Sequence, residues 1–191
     1  GKGANLAEMS SIGLSVPPGF TLTTECCKQF CGEWDQTIPD DIWEEALKSI
    51  KTIEDAMECK FGSESNPLLL SVRSGAAISM PGMMDTVLNL GMNDAVCEGL
   101  AIKSKNPRFA WDSYRRFLEM FGNVVLEIPR SEFEEEIDDV KYDKGYFEDS
   151  ELEVDDLKEV VARFKKVYER NDLSFPEDAY DQLKLGVCAV F

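Results

Sequence analysis

The chain contains no histidine. That absence removes the side chain that most often serves near neutral pH as general base, metal ligand or phosphoryl carrier, so no phosphohistidine can form within these residues. Basic residues are scarce as well: 20 Lys and Arg against 37 Asp and Glu leave a net charge of −17. Such a surplus repels nucleic acid and anionic membranes, and neither is expected as a partner. Any anionic ligand must then be held by a local site working against the overall field. The few cations in ordered contexts therefore carry more information than the many carboxylates. No stretch approaches the roughly 20 apolar residues that cross a bilayer. There is also no initiator Met, basic leader or signal-like start, so a soluble, non-secreted chain is expected. Beginning at Gly1 and stopping inside the apolar run Gly186-Val187-Cys188-Ala189-Val190-Phe191, the sequence reads as a fragment cut at both ends. The cysteines, Cys26, Cys27, Cys31, Cys59, Cys97 and Cys188, lack CxxC spacing and nearby histidine. No zinc site is expected on that pattern, and free thiols of a reducing compartment are expected.

What is present divides into two compositional halves. Residues 1 to about 92 alternate short apolar runs with Gly and Pro, which predicts mixed strands and helices. From about residue 93 the chain is highly charged, with apolar positions at helical spacing. The spacing predicts a helix from Ala4 to Ile12 with Gly13 as its C-terminal cap, a rigid turn at Val16-Pro17-Pro18-Gly19, and a strand at Phe20-Thr21-Leu22-Thr23. Thr24 is expected to cap a helix from Glu25 to about Gly32. A further helix starts at Pro39-Asp40 and buries Ile42, Trp43, Ala46, Leu47, Ile50, Ile53 and Met57, ending at Phe61-Gly62. Leu68 to Ser74 reads as a buried strand and Thr86 to Leu90 as a second one. Helices are expected over Asp94 to Lys103, Phe109 to Phe121, Glu132 to Val140 (with Ser131 and Glu134 as a capping box) and Asp155 to Arg170. Tyr180 to Phe191 is expected to begin an element that packs on something outside this sequence. The aromatic and basic residues of Phe109 to Phe121 fit a core-facing helix in acidic surroundings better than an RNA-binding one.

Three places carry residues suited to chemistry. Gly1-Lys2-Gly3-Ala4-Asn5-Leu6 sets a lysine between glycines at a helix start. Glycines let the backbone approach an anion, free N–H groups point outward, and the ammonium adds a full charge. The spacing is not that of a Walker A loop, and the same residues also read as a plain turn before a helix. Val72-Arg73-Ser74-Gly75 ends a strand on an arginine whose planar fork suits phosphate oxygens, or equally one of the many carboxylates. Ser79-Met80-Pro81-Gly82-Met83-Met84-Asp85-Thr86 is low in charge and rich in small and sulfur-bearing residues. It suits either an ordered loop against an apolar ring such as adenine, or a methionine plug of the core.

In order along the chain, Gly1 to Met9, Val16-Pro17-Pro18-Gly19-Phe20, Ser71 to Thr86, Asn106-Pro107-Arg108-Phe109-Ala110 and Asp112-Ser113-Tyr114-Arg115-Arg116-Phe117 resemble the pyruvate, phosphate dikinase family. Looser forms of the lysine and arginine motifs occur in phosphoenolpyruvate synthase and glucan, water dikinase, while SMPGMMDT singles out the dikinase branch. The resemblance runs from Gly1 to Phe191 and is strongest to about residue 130. It implies the amino-terminal part of an ATP-binding domain, of α+β class: an ATP-grasp-like lobe over 1–92, a mostly helical inserted subdomain over 93–178, and a returning segment over 179–191. It further implies that Lys2 and Arg73 contact the ATP phosphates, with Gly82, Met83, Met84, Asp85 and Thr86 bordering the nucleotide. In the family the β-phosphoryl of ATP goes to a histidine on a swivelling domain and then to pyruvate, giving phosphoenolpyruvate, AMP and pyrophosphate. Magnesium is required there, and its acidic ligands lie in sequence beyond Phe191, so no metal ligand and no catalytic residue is assigned within this chain. Ala77 stands where some members carry arginine and marks a subtype. The full enzyme is expected to be a homo-oligomer of the chloroplast or cytoplasm, with pyruvate and phosphate as further partners. The alternative is a noncatalytic truncated paralogue that binds a nucleotide or a partner.

Overall fold

The strongest helical pattern in the sequence becomes the centre of the molecule. In the computed structural model, which describes residues 1–32, 37–75 and 86–191, helix α5 spans Pro107–Val125. Asn106 caps it by accepting from the Phe109 amide at 3.1 Å, and Pro107 occupies the first turn, where a missing N–H costs nothing. Ala110, Trp111, Tyr114, Phe117, Leu118 and Phe121 are buried, so the aromatic stripe is core as its spacing predicts, except at its first member, Phe109, which is 50% exposed. Around α5 pack α4 (Asp94–Ser104), α7 (Val154–Arg170) and the strand β4 (Thr86–Leu90), while α6 (Arg130–Lys144) lies on α7. The inner face expected of α7, Leu157, Val160, Val161, Phe164 and Val167, is buried. The link after α7 inserts Phe175, whose ring meets Tyr114, Phe117, Phe121 and Tyr168 at centroid distances of 5.7–6.2 Å. Such edge-on contacts favour one geometry of the aromatic cluster.

The remaining elements are α1 (Lys2–Ser11), α2 (Thr24–Gly32), α3 (Asp40–Met57) and four short strands in two pairs. β1 (Lys60–Phe61) runs parallel to β2 (Pro67–Leu68), and β3 (Leu70–Arg73) runs antiparallel to β4. The register of β3 and β4 shifts between Leu70 and Val72, and Asn89 opposite that shift takes a left-handed φ of 60°. Asn tolerates that conformation, and the resulting bulge bends the strand end. Mixed, helix-rich architecture with small sheets is therefore the observed fold. Among the described residues, no helix is long and apolar enough to cross a membrane.

Several expectations need correction. Phe20 to Thr23 is not a strand: it has no regular structure, and among the described residues no strand lies beside it to complete a ladder. The hydroxyl at the start of α2 belongs to Thr23, which accepts from the Cys26 amide at 3.5 Å, because the helix starts at Thr24. α3 ends at Met57 rather than near Phe61: Glu58 turns left-handed, Met57 stays exposed, and Phe61 enters β1. The buried strand of 68–74 is split into β2 and a half-exposed β3. Ser131 and Glu134 form no capping box, because α6 begins one residue before Ser131, at Arg130, and Glu134 instead pairs with Arg130 at 3.1 Å.

The largest correction concerns the C-terminal element. α8 (Ala179–Val190) finds its packing partners inside the chain: Ala179, Gln182, Leu183, Gly186 and Val187 are buried, against β3, β4 and α5. Phe191 adds an edge-on contact to Phe30 at 5.2 Å. Gln182 is fully buried, and its amide accounts for three backbone groups. Oε1 accepts from the Gly91 N–H at 2.8 Å, and Nε2 donates to the carbonyls of Met92 and Pro176, each at 2.8 Å. Replacing it with an apolar residue of similar size leaves a buried donor and two carbonyls unmatched, each such group costing about 1–3 kcal/mol. Gln182→Leu is expected to lower the unfolding free energy by about 3 kcal/mol in urea titrations at an unchanged slope. A loss under about 0.5 kcal/mol would mean that the amide is dispensable to this joint.

Candidate functional site

The first turn of α1 begins at a residue without a side chain. Gly1 is its N-cap, no side chain caps the turn, and the first helical bond runs from the Asn5 amide to the Gly1 carbonyl at 3.1 Å. The N–H groups of the first turn are thus unmatched within the helix and carry its partial positive charge. Gly3 lies against Thr21: a Cβ built on it would stand 2.5 Å from the Thr21 Oγ1. A glycine is required here by close approach, since its φ is not left-handed. α1 buries none of its own residues, and Leu6, Met9 and Ile12 are exposed.

Lys2 reaches across 72 positions of sequence. Its ammonium donates to the Ser74 carbonyl at 3.0 Å. Ser74 follows Arg73, the last residue of β3, and Arg73 stands opposite Thr86, the first residue of β4. Three separate motifs, around Lys2, Arg73 and Thr86, therefore meet at one edge of the β3–β4 hairpin. Gly82, Met83, Met84 and Asp85, and Ala77 with them, lie outside the described residues.

The electrostatic setting of this edge differs from that of the helical half. There, many cations pair with carboxylates. Arg115, 4% exposed, pairs with Asp112 and Asp149, both at 2.9 Å, and Lys141 pairs with Asp138 and Asp149 at 2.9 and 3.0 Å. Lys165 bridges Asp94 and Glu177 at 2.9 and 3.1 Å. Lys2 and the exposed Arg73 form no ion pair with any described residue. The edge thus presents an ammonium, a guanidinium and helix-terminal N–H groups, a set of donors that matches the oxygens of a polyphosphate. Among the described residues, no group of three or more His, Cys, Asp or Glu side chains is arranged to hold a metal.

Thr21 was not legible as a neighbour of this edge, because a threonine after a proline turn carries no signal of its own. The motif residues Arg108 and Arg115 turn out to hold the fold. Arg108 donates to the carbonyls of Leu152, Asp149 and Ser150 at 2.9, 3.1 and 2.8 Å, pinning the corner between α6 and α7 onto α5. The cysteines described are free, as expected. Burial pushes the Cys97 thiol up to about 12 and raises those of Cys27 and Cys188, so none of the three is an activated nucleophile near neutral pH.

An alanine at position 3 of a free helix would favour α1 by up to about 1 kcal/mol. Against Thr21 the sign reverses. Gly3→Ala is expected to separate α1 from the Thr21 segment, speeding amide hydrogen exchange in α1, and the Gly3→Ala, Thr21→Ala pair to restore the slower rate. Slower exchange in the single variant would show that the contact does not constrain the helix.

The family described as "Pyruvate phosphate dikinase, AMP/ATP-binding domain" matches residues 1–45. Over 192 aligned residues the chain is 57% identical to pyruvate, phosphate dikinase 1, chloroplastic, of Oryza sativa subsp. japonica, covering 100% of this chain and 20% of that protein. Identity is 56% to pyruvate, phosphate dikinase 2 of Zea mays, with 100% and 22% covered. It is 58% to the chloroplastic enzyme of Mesembryanthemum crystallinum, with 100% and 20% covered. The chain spans about a fifth of the length of these relatives. The motifs around Lys2, Arg73 and Arg108 are thus parts of one relationship, and the chain is a homologue of the amino-terminal, ATP-binding part of the pyruvate, phosphate dikinases.

Proposed function

We propose that the edge formed by Lys2, Arg73 and the first turn of α1 binds the phosphates of ATP, as part of a pyruvate, phosphate dikinase. The observation that carries this reading is the Lys2 ammonium at 3.0 Å from the Ser74 carbonyl, which brings two cations without ion pairs among the described residues to one strand end. Solvent screening at this exposed edge leaves each cation a net contribution of about 1 to 3 kcal/mol, so the two together favour a polyphosphate against the surrounding negative field. Thr86 offers a hydroxyl at the same edge, and residues 82–85 precede it in sequence, so the Gly82-Met83-Met84-Asp85-Thr86 loop is assigned to the border of the nucleotide.

ATP bound here supplies the β-phosphoryl group that, in the whole enzyme, passes to a histidine outside these 191 residues and then to pyruvate, giving phosphoenolpyruvate, AMP and pyrophosphate with magnesium. This chain's own residues bind and orient the phosphates, and the magnesium ligands are assigned to sequence after Phe191. Residues 1–92 form the ATP-grasp-like lobe in this reading, 93–178 the helical insertion, and 179–191 the returning segment. The docking of α8 on β3 and β4 supports that return. The chloroplast named for several relatives, or the cytoplasm, is the compartment, and the whole enzyme is a homo-oligomer.

Isothermal titration of MgATP into the chain tests the reading. Lys2→Ala and Arg73→Ala, each checked by circular dichroism, are expected to weaken binding about 10- to 100-fold, the equivalent of one charge-assisted contact each. Heat of binding that is absent in the folded wild-type chain, or equal in all three proteins, would remove the phosphate site from this edge.

A further inference from the structure

Between α6 and α7 the chain reads Phe147-Glu148-Asp149-Ser150-Glu151-Leu152-Glu153. A serine here has carboxylates at positions −2, −1, +1 and +3. The segment makes a 3-10 turn, Asp149–Glu151, held by two backbone bonds, Glu151 N to the Glu148 carbonyl at 3.0 Å and Leu152 N to the Asp149 carbonyl at 3.3 Å. Ser150 is exposed, and its hydroxyl forms no hydrogen bond with any described residue. The corner projects from the helices: Phe147 is 88% exposed. Glu148 and Glu153 are exposed too and form no ion pair with a described residue; each closes a capping box on the backbone and keeps its charge toward a basic partner.

We propose that Ser150 is a phosphorylation site for an acid-directed serine/threonine protein kinase. Kinases of this class select substrates by charge, and a basic substrate groove matches acids flanking the hydroxyl. The transfer is balanced without further reagents. The Ser150 Oγ bonds to the γ-phosphorus of the kinase's ATP, the bond from that phosphorus to the bridging oxygen of ADP breaks, and the hydroxyl proton passes to the kinase's base. The turn is held by side chains as well, Arg108 on the Ser150 carbonyl and the Glu151 carboxylate on the Phe147 and Glu148 amides, so the serine is presented to the kinase on a fixed, exposed turn.

Other hydroxyls have acids downstream, among them Ser174 before Glu177 and Thr37 before Asp40, but none has four carboxylates within three positions as Ser150 does, and two more are poorer on structural grounds. Ser131 has Glu132 and Glu134 at +1 and +3, but lies in the first turn of α6 after a basic residue, Arg130, which already pairs with Glu134 at 3.1 Å. Thr52, before Glu54 and Asp55, is inside α3, and its hydroxyl donates to the Lys48 carbonyl at 3.2 Å.

The modification adds a charge of about −1.5 to −2 beside Asp149. Asp149 is the anion on which Arg115 and Lys141 converge, and the guanidinium of Arg108 already touches the Ser150 carbonyl at 2.8 Å. A phosphate therefore enters the node that joins the α6–α7 corner to α5. This inference is independent of the nucleotide site.

The test is to incubate the chain with a casein kinase 2-type enzyme and labelled ATP, beside a chain-without-kinase control, and to locate phosphate by peptide mass spectrometry. One phosphate per chain at Ser150 is expected, with incorporation falling at least about tenfold in Ser150→Ala, several-fold in Glu153→Gln, and unchanged in Ser131→Ala. Label that persists in Ser150→Ala, that sits on Ser131 or Thr52, or that fails to enter a folded chain while a control peptide is phosphorylated would overturn the assignment.

Discussion

The amide of Gln182 is the joint on which the placement of the candidate site depends. It sits fully buried where β4 ends and α4 begins, and it answers one donor and two acceptors of the backbone that would otherwise have no partner in an apolar core. Those bonds hold α8 to a strand some 90 residues earlier. With β4 held, its ladder places β3, β3 carries Arg73 and Ser74 at its end, and Ser74 receives Lys2. A single side chain in the last helix thereby helps to fix the backbone frame that carries Arg73 and the Ser74 carbonyl on which Lys2 rests. The demand is geometric as well as energetic: an aliphatic side chain fills the same space but cannot specify which residues of the β4–α4 turn lie beneath it.

The helical half solves a different problem, the surplus of carboxylates. Arg108, Arg115 and Lys141 collect the carbonyls and carboxylates of the α6–α7 corner, and Lys165 ties Asp94 at the start of α4 to Glu177 before α8. The Asp149 carboxyl shows the balance within one residue: burial raises its pKa, and the Lys141 and Arg115 charges outweigh burial and hold it below the usual range. Aromatic rings take part as well. Lys158 and Lys165 lie over the faces of Trp111 and Tyr114 at 5.2 and 5.7 Å, while Trp111 Nε1 and Tyr114 Oη, both buried, have no hydrogen-bond partner among the described residues.

What the sequence disclosed follows from the range of the interactions concerned. Helices with a strong 3.6-residue stripe and a local start signal, such as α5 behind Asn106-Pro107 and α7, stand where spacing predicts them. The strand at 86–90 is also where alternation puts it. The misplaced features are those decided at long range. Phe20 to Thr23 has the composition of a strand, but composition does not supply a neighbour. Ser131 and Glu134 have the spacing of a capping box, but a helix that begins at Arg130 puts Ser131 inside it. The burial of α8 is invisible in its own residues, since Gln182 reads as a surface residue until Gly91, Met92 and Pro176 surround it. The same holds for the site: Lys2 and Arg73 were legible as cations beside glycine, whereas the contact of Gly3 with Thr21 required the fold.

The two groups of arginines and lysines in the shared motifs are best separated by what surrounds them. Arg108 and Arg115 spend their Nε and Nη2 donors on carbonyls or carboxylates of the same chain, which commits both to holding the α6–α7 corner. Lys2 spends one of its three N–H donors on the Ser74 carbonyl, a neutral acceptor that positions the ammonium without neutralising it. Lys2 and Arg73 share their lack of an ion pair among the described residues with other cations of the chain, such as Lys60 and Lys105, so what singles them out is that the fold brings them to one strand end. That juxtaposition supports the proposed phosphate site better than either glycine-bearing motif does alone.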